Sequence, residues 1–356
     1  MRHLPALFWL LLLFLSACGD KNEMPPVNDC GEDKSYRQGV FVLNEGNLSS
    51  GVGTVSFFQF ADEQLDHNVF QNQNCDQELG SVAQSITRYL DHYYIVVHNS
   101  DIIHIVRADD FRLVGSIEGL ELPRYFLPIN EDKAYVSQWG EGLRDKASIA
   151  VVDLKSRQVQ KTLPTGAGTE HMLREGNLVY AVNEGALLND SLLLIVDTER
   201  DEIVDRIALP AFNPHSLQID QNGDMWVLCR GFTDWNNNIQ KDGALVRFRE
   251  KEIQEVFPVP NFSRRLKINP SGDILYFILE QGGIARHPID ATSFDSTPFL
   301  NGRFYNIGIH PDDGDIYTTD YLDFSSDGRV DVFRADGVKY RSFQAGIGPS
   351  ELLFVD

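Results

Sequence analysis

Val40-Phe41-Val42-Leu43-Asn44 is a phrase that returns six more times, as Tyr94-Ile95-Val96-Val97-His98, Ala134-Tyr135-Val136-Ser137, Val179-Tyr180-Ala181-Val182-Asn183, Met225-Trp226-Val227-Leu228, Leu275-Tyr276-Phe277-Ile278 and Ile316-Tyr317-Thr318-Thr319. Each copy is too short for a helix, rich in β-branched and aromatic residues, and followed by turn formers, which is how a buried strand reads. The aromatic residues stand at 41, 94, 135, 180, 226, 276 and 317, so successive copies lie 53, 41, 45, 46, 50 and 41 residues apart. That is the spacing of the blades of a β-propeller built from four-stranded sheets.

A weaker strand precedes most copies, over residues 85–89, 124–129, 170–174, 216–220, 265–269 and 306–310, and two more follow, as in 148–153 and 158–163. The order within a repeat is inner, aromatic, third and outer strand. The first repeat lacks its inner strand, because Gly39 leads directly into an aromatic strand, whereas the chain ends on a lone one, Pro349-Ser350-Glu351-Leu352-Leu353-Phe354-Val355-Asp356. Joining the two makes one complete blade and leaves no open edge at the seam. The expectation is therefore an all-β, seven-bladed propeller over residues 38–356. Length alone would suggest two domains, but a blade cannot cover its faces without neighbours on both sides. Helical periodicity is absent from the mature chain, and a β-sandwich does not account for seven matched phrases.

The N-terminus begins Met1-Arg2-His3, continues with an apolar run from Leu4 to Leu15, and reaches Leu15-Ser16-Ala17-Cys18. A basic start, an apolar stretch too short to span a bilayer, and small residues before a cysteine read as a signal peptide over 1–17. Leu-Ser-Ala-Cys resembles the bacterial lipobox, which implies lipidation of Cys18 and a membrane anchor made of acyl chains. Residues 18–37 are polar with Pro25 and Pro26 and read as a flexible tether; Asp20 and Glu23 resemble surface-export signals of some lipoproteins. In an oxidising compartment Cys30 and Cys75 can pair, although they flank opposite ends of the first blade. Cys229, inside an aromatic strand, reads as a buried free thiol.

The formal charge is −21 and the isoelectric point near 4.7, with no basic run. Nucleic acid is excluded as a partner, since binding it needs clustered Lys and Arg. A net negative field favours neutral or cationic ligands.

In a propeller, the loops leading into inner strands and those leaving aromatic strands share one face, the natural binding surface. The sequence places Arg124, Tyr125, Glu170, His171, His215, Arg264, Arg265 and Tyr305 on the first set, with Arg124, His171, His215, Arg264 and Tyr305 at one repeated position. The second set brings Asn44, Glu45, His98, Gln138, Trp139, Asn183, Glu184, Arg230, Tyr321 and Phe324. In the longest insertion, 230–243, Phe232 and Trp235 are too apolar for so polar a loop and read as ligand platforms. Asp234, Asn236 and Asn238 alternate like the start of a calcium loop, but the closing acid is missing. Glu170 beside His171 is an acid–base pair without an accompanying nucleophile, and His171 with His215 is a metal pair only if structural roles are set aside. No catalytic residue, metal or cofactor is assigned.

The Asp turns of Val152-Asp153-Leu154 and Val196-Asp197-Thr198, with Pro or a polar residue before each inner strand, resemble the YncE-like seven-bladed propellers. The opening Val40-Phe41-Val42-Leu43-Asn44-Glu45-Gly46-Asn47 is similar to a branch of surface lipoproteins found beside TonB-dependent transporters. The BtuG-like members of that branch capture cobalamin. The resemblance covers residues 37–356 and implies a non-enzymatic, outer-membrane lipoprotein that binds a corrinoid at its mouth and passes it to a TonB-dependent transporter. Rim amides and aromatics would suit the amide side chains and apolar face of the corrin. Capture of a siderophore or haem, with Arg124, Arg264 and Arg265 as a positive patch, is the nearest alternative. A lactonase-like or quinoprotein-like enzyme and a structural or adhesive envelope module are the others.

Overall fold

The computed structural model describes residues 31, 34–47 and 51–356. Seven sheets surround a central channel, each antiparallel and each starting with an inner strand. Blade 2 is Ala83–Tyr89, His92–Val97, Ile102–Arg107 and Leu113–Ile117; blade 3 is Pro123–Asn130, Lys133–Gln138, Ala147–Asp153 and Gln158–Gly166. Blade 4 is Thr169–Glu175, Leu178–Asn183, Leu192–Asp197 and Glu202–Ala208; blade 5 is Pro214–Ile219, Met225–Cys229, Gly243–Arg249 and Glu252–Val259. Blade 6 is Arg264–Ile268, Ile274–Ile278 and Ile284–Pro288; blade 7 is Asn306–Ile309, Ile316–Asp320, Arg329–Phe333 and Lys339–Gln344.

Blade 1 is the seam. Its inner strand, Pro349–Val355, pairs with Gly39–Asn44 in the register Val355 with Gly39 through Glu351 with Leu43, and Thr54–Gln59 and Leu65–Asp66 complete the sheet. The C-terminal strand thus closes the ring as the split repeat requires.

Side-chain alternation along the aromatic strands explains why seven copies are needed. Phe41 and Leu43 point into a core shared with Tyr93 and Ile95 of blade 2, while Val40 and Val42 point the other way, to Tyr317, Val330 and Val332 of blade 7. The same division recurs at every boundary: seven buried apolar clusters, one between each pair of neighbouring blades. All seven phrase-heading aromatics are buried. Outer strands such as Glu202–Ala208 alternate half-buried and exposed residues and carry the solvated charge.

Four local features differ from the sequence reading. Blade 6 has no regular fourth strand; its place is taken by the stretch 291–300, too rich in Ser, Thr, Asp and Pro to pair, and joined by one bridge between Ile284 and Leu300. A short helix, Val69–Gln73, sits against blade 1. The end of the supposed tether is packed: Tyr36 is buried against Phe41, Phe57 and Phe111 and accepts a hydrogen bond from Gln73 Nε2 at 3.0 Å. The insertion after blade 5's aromatic strand folds into a hairpin of Phe232–Asp234 with Ile239–Lys241, and Asp234 accepts from the backbone of Asn236 and Asn237 rather than standing open for a cation. Cys229 is a buried free thiol, held protonated by burial; Cys75 is disulfide-bonded. The signal peptide, Cys18 and Cys30 lie outside the described residues. Among those described, no helix is long and apolar enough to cross a membrane.

Phe41 is fully buried, with ring centroids of Phe57, Phe111 and Tyr93 at 4.7, 4.8 and 5.1 Å. Phe41→Ala is expected to destabilise the protein by about 3–5 kcal/mol, measured by denaturant unfolding; a loss under about 1 kcal/mol would contradict this packing. Removing residues 349–356 exposes the edge of Gly39–Asn44 and should lower the melting temperature by more than about 10 °C and cause aggregation on size-exclusion chromatography. A truncated chain that stays monomeric and melts like the intact one would show that the seam is not closed in this way.

Candidate functional site

The channel mouth is built by a repeated irregularity. In six of the seven inner strands the register with the aromatic strand slips at the mouth end, as between Pro123 and Phe126, Thr169 and Met172, and Arg264 and Lys267. A bulge of this kind breaks strict alternation and lets consecutive side chains turn toward the same side. Arg124 and Tyr125, Glu170 and His171, and Arg264 and Arg265 are therefore all available to the axis and its rim. Arg265 itself takes a left-handed backbone, φ +63°.

Register also corrects the sequence alignment of the mouth. The residues paired with the phrase aromatics are Thr87, Leu127, Leu173, Gln218, Lys267, Gly308 and Leu353. Counting three back from each gives Gln84, Arg124, Glu170, His215, Arg264, Tyr305 and Ser350. Counting two back gives Ser85, Tyr125, His171, Ser216, Arg265, Asn306 and Glu351. Glu170, not His171, shares the row of Arg124, His215, Arg264 and Tyr305, and the two histidines are offset by one residue. The extra residue at the bulge is invisible to a count made along the chain.

The rows are knitted across blade boundaries. Arg124 Nε and Nη2 donate to Glu170 Oε2 and Oε1, both at 2.8 Å, and Trp139 Nε1 donates to Glu170 Oε2 at 2.9 Å. The guanidinium lies over the Trp139 ring, 3.9 Å from its centroid. Arg230 donates to Glu184, linking blades 5 and 4. Tyr305 donates its hydroxyl to Glu45 at 3.0 Å, joining blade 7 to the seam. Arg264 donates to Glu280 and to the carbonyl of Phe304. Lys267 stands 3.6 Å from Glu351. Tyr125 and His171 rings are 3.9 Å apart and His171 and His215 rings 6.2 Å apart. Arg265 reaches across the axis from blade 6 to donate to Tyr125 Oη of blade 3 at 3.1 Å.

Burial governs the titration of this network. It pushes His215 down to about 3 and His171 well below the usual imidazole range, with Arg265 acting on both in the same direction, so both rings are neutral at pH 7. Burial also raises the Glu170 carboxyl, against the pull of Arg124. Glu184 is also buried, but Arg230, His215 and Arg124 hold it at about 2.

On the rim, Tyr321 and Phe324 stack at 4.0 Å, and Tyr305 meets both edge-on. The amides anticipated as ligand contacts do other work. Asn44 bonds Thr54 and Ser56 and accepts from Gly346; Gln138 bonds Ser148 and Glu121; Asn183 bonds Thr165 and Asp190. All three occupy the same place at the end of an aromatic strand and close loops. Phe232 and Trp235 stand apart from the mouth cluster: Phe232 packs edge-on against Phe212, and Trp235 is 83 % exposed on the hairpin. Beside that hairpin is a cleft of about 590 Å³, lined by Trp235, Asn261, Phe262, Glu280 and Phe294. The structure therefore gathers Arg124, Tyr125, Trp139, Glu170, His171 and His215, sets Tyr305 with Tyr321, and leaves Arg264, Phe232 and Trp235 to separate surroundings. Arg265, Glu184 and Arg230, placed at the mouth by the sequence, complete the network together with Lys267, which the sequence did not single out and which its pairing with Tyr276 locates on the inner strand of blade 6.

Comparison with known structures returns propellers. A quinonprotein alcohol dehydrogenase-like protein from Bacteroides thetaiotaomicron matches over 91 % of this chain and 80 % of its own, with 14 % identity and a TM-score of 0.64. A functionally unknown protein from Desulfotomaculum acetoxidans matches over 89 % and 98 %, with 9 % identity and a TM-score of 0.66, and apo AztD from Citrobacter koseri over 88 % and 96 %, with 11 % identity and a TM-score of 0.54. At these identities the likeness is one of fold. No curated protein matches the chain. Residues 38–330, most of the propeller, match a domain family of unknown function, and the chain belongs to that family, DUF5074.

Proposed function

We propose that the chain is a non-enzymatic, lipid-anchored binding protein that captures a scarce nutrient at the propeller mouth for a TonB-dependent outer-membrane transporter, a corrinoid being the best-fitting class. The observation that carries this reading is the mutual locking of the mouth side chains. Glu170, the one carboxylate adjacent to a histidine in the inner strands, is occupied by Arg124 and Trp139. Its neighbour His171 lies against Tyr125. Groups held this way form a pre-organised recognition surface.

The ligand class rests on chemistry and on the resemblance of the first strand to corrinoid-capturing lipoproteins. The half-exposed Tyr305, Tyr321 and Phe324 cluster offers apolar faces and hydroxyls to a broad, flat, amide-bearing molecule. With the rim amides engaged in loops, contacts to ligand amides fall to these hydroxyls and to backbone groups. The acidic exterior favours a neutral or cationic ligand over an anionic chelate.

Titration with cyanocobalamin and cobinamide, followed by heat and absorption, is expected to give a Kd of about 1 μM or tighter. Tyr321→Ala should weaken it at least about tenfold, the effect of losing one aromatic contact of about 1.4 kcal/mol. No binding to either corrinoid, or binding to a ferric siderophore alone, would overturn the assignment. Cys18→Ser is expected to move the protein from the membrane to the soluble fraction on fractionation of cells; unchanged partition would remove the anchor from the proposal.

A further inference from the structure

The cations of the channel do not all have partners. Arg124 is matched by Glu170, Arg230 by Glu184, Arg264 by Glu280 and Lys267 by Glu351, whereas Glu45 is held by the Tyr305 hydroxyl. Arg265 has no carboxylate within 4.0 Å among the described residues; its one hydrogen bond is to a neutral phenol, and its Nε is sealed off without a partner. A guanidinium carries five N–H donors in a planar fork. Here the Nη2 edge is left facing the channel, since it neither bonds protein nor is sealed as Nε is.

Two independent observations point to the same place. His215, 4 % exposed, has an Nδ1 that is sealed without a partner, as Arg265 Nε is, and its ring stands 6.2 Å from that of His171 around the axis. Arg265 is also held at φ +63°, a backbone region costly for a residue with a Cβ, so the surrounding structure fixes the orientation of its side chain. Glu351 and Glu170 act on its charge from beyond ion-pair distance while they pair directly with Lys267 and Arg124, an arrangement that leaves the free edge of the fork without use in the fold itself. Such an edge suits a site that is completed by an anion.

We infer that the axial channel is an anion site, in which a small carboxylate group docks on the Arg265 fork beside Tyr125, His171 and His215. The carboxylate class fits because its two oxygens match adjacent guanidinium N–H groups in one plane, while the Tyr125 phenol, which accepts from Arg265, has its own O–H to donate without adding charge. The site is distinct from the aromatic rim, and does not depend on which nutrient the mouth receives.

The test uses the purified full-length chain in low-chloride buffer at pH 7, with acetate as probe, calorimetric titration for affinity and the melting temperature as a second readout. Wild-type protein is expected to bind acetate saturably with a Kd of roughly 1 mM or tighter and to melt at a higher temperature as acetate is added. Arg265→Gln should bind at least about tenfold more weakly and show a melting temperature that acetate no longer moves. Arg265→Lys, which keeps the charge without the fork, should fall between the two and serves where Arg265→Gln does not fold. Arg303→Gln, on the exposed surface, should bind acetate like wild type. No saturable binding, equal binding by Arg265→Gln, or binding of inorganic phosphate without acetate would overturn the inference; loss of corrinoid binding in the earlier titration leaves it untouched.

Discussion

Seven apolar interfaces hold this molecule together, and each belongs to two blades. Because Phe41 and Leu43 serve one neighbour and Val40 and Val42 the other, no blade has a finished core until the ring is closed. Closure has a consequence at the axis. Each inner strand is paired on one side only, so seven rows of backbone polar groups line the channel. Side chains of the next inner strand satisfy many of them: Ser85 and Thr87 donate to the carbonyls of Arg124 and Phe126, the Leu266 amide donates to Ser216, and Gln218 donates to the Leu266 carbonyl. The polar character of the inner strands, which makes them weak strands by composition, is what an exposed sheet edge inside a channel requires.

The same geometry concentrates charge. Inner strands that converge on an axis, with the loops leaving the aromatic strands, bring Arg124, Glu170, Glu184, Arg230, Arg265, Lys267 and Glu351 into one small volume, away from bulk water. At such short range and low effective dielectric an unmatched charge costs several kcal/mol, whereas the same charge on an outer strand costs almost nothing. That difference explains why the outer strands carry charges of both signs freely while nearly every channel charge has a partner. The two histidines follow the same rule: burial, with Arg265 adding to it, disfavours the charged form, and both rings stay neutral.

Much of this fold was legible because a buried strand leaves a compositional mark. The seven aromatic strands, their inner partners and the split blade follow from the phrase at Phe41 and from the lone strand at 349–356. Features without such a mark were not legible. Tyr36 sits in a polar run and joins the core only because Phe41, Phe57 and Phe111 leave a place for its ring. The hairpin at 232–241 has two polar, three-residue strands, below the length at which alternation can be read. The fourth place of blade 6 is filled by a segment that makes one bridge. In the site, Arg124, Tyr125, Glu170, His171, His215 and Tyr305 were found by their position before each inner strand, but their order in depth was not, since one bulge residue shifts every count by one. Rim amides such as Asn44 and Gln138 have the composition of ligand contacts, and only their partners reveal them as loop staples.

The bond from Arg265 to Tyr125 also decides what kind of cavity the propeller offers. It joins blade 6 to blade 3, on opposite sides of the axis, and Lys267 with Glu351 spans blade 6 and the seam just beyond it. Crosslinks between blades that are not neighbours can only run through the channel, so they floor it. What faces the mouth is then a bowl, with aromatic groups on one part of its rim, an Arg–Glu–Trp cluster on another, and at its base a guanidinium that no carboxylate pairs directly. A bowl selects ligands differently from a pore. Its rim sets the size and flatness of what can settle, and its base reads charge at one point, so the two properties are free to be tuned by different residues on a scaffold whose stability depends on neither.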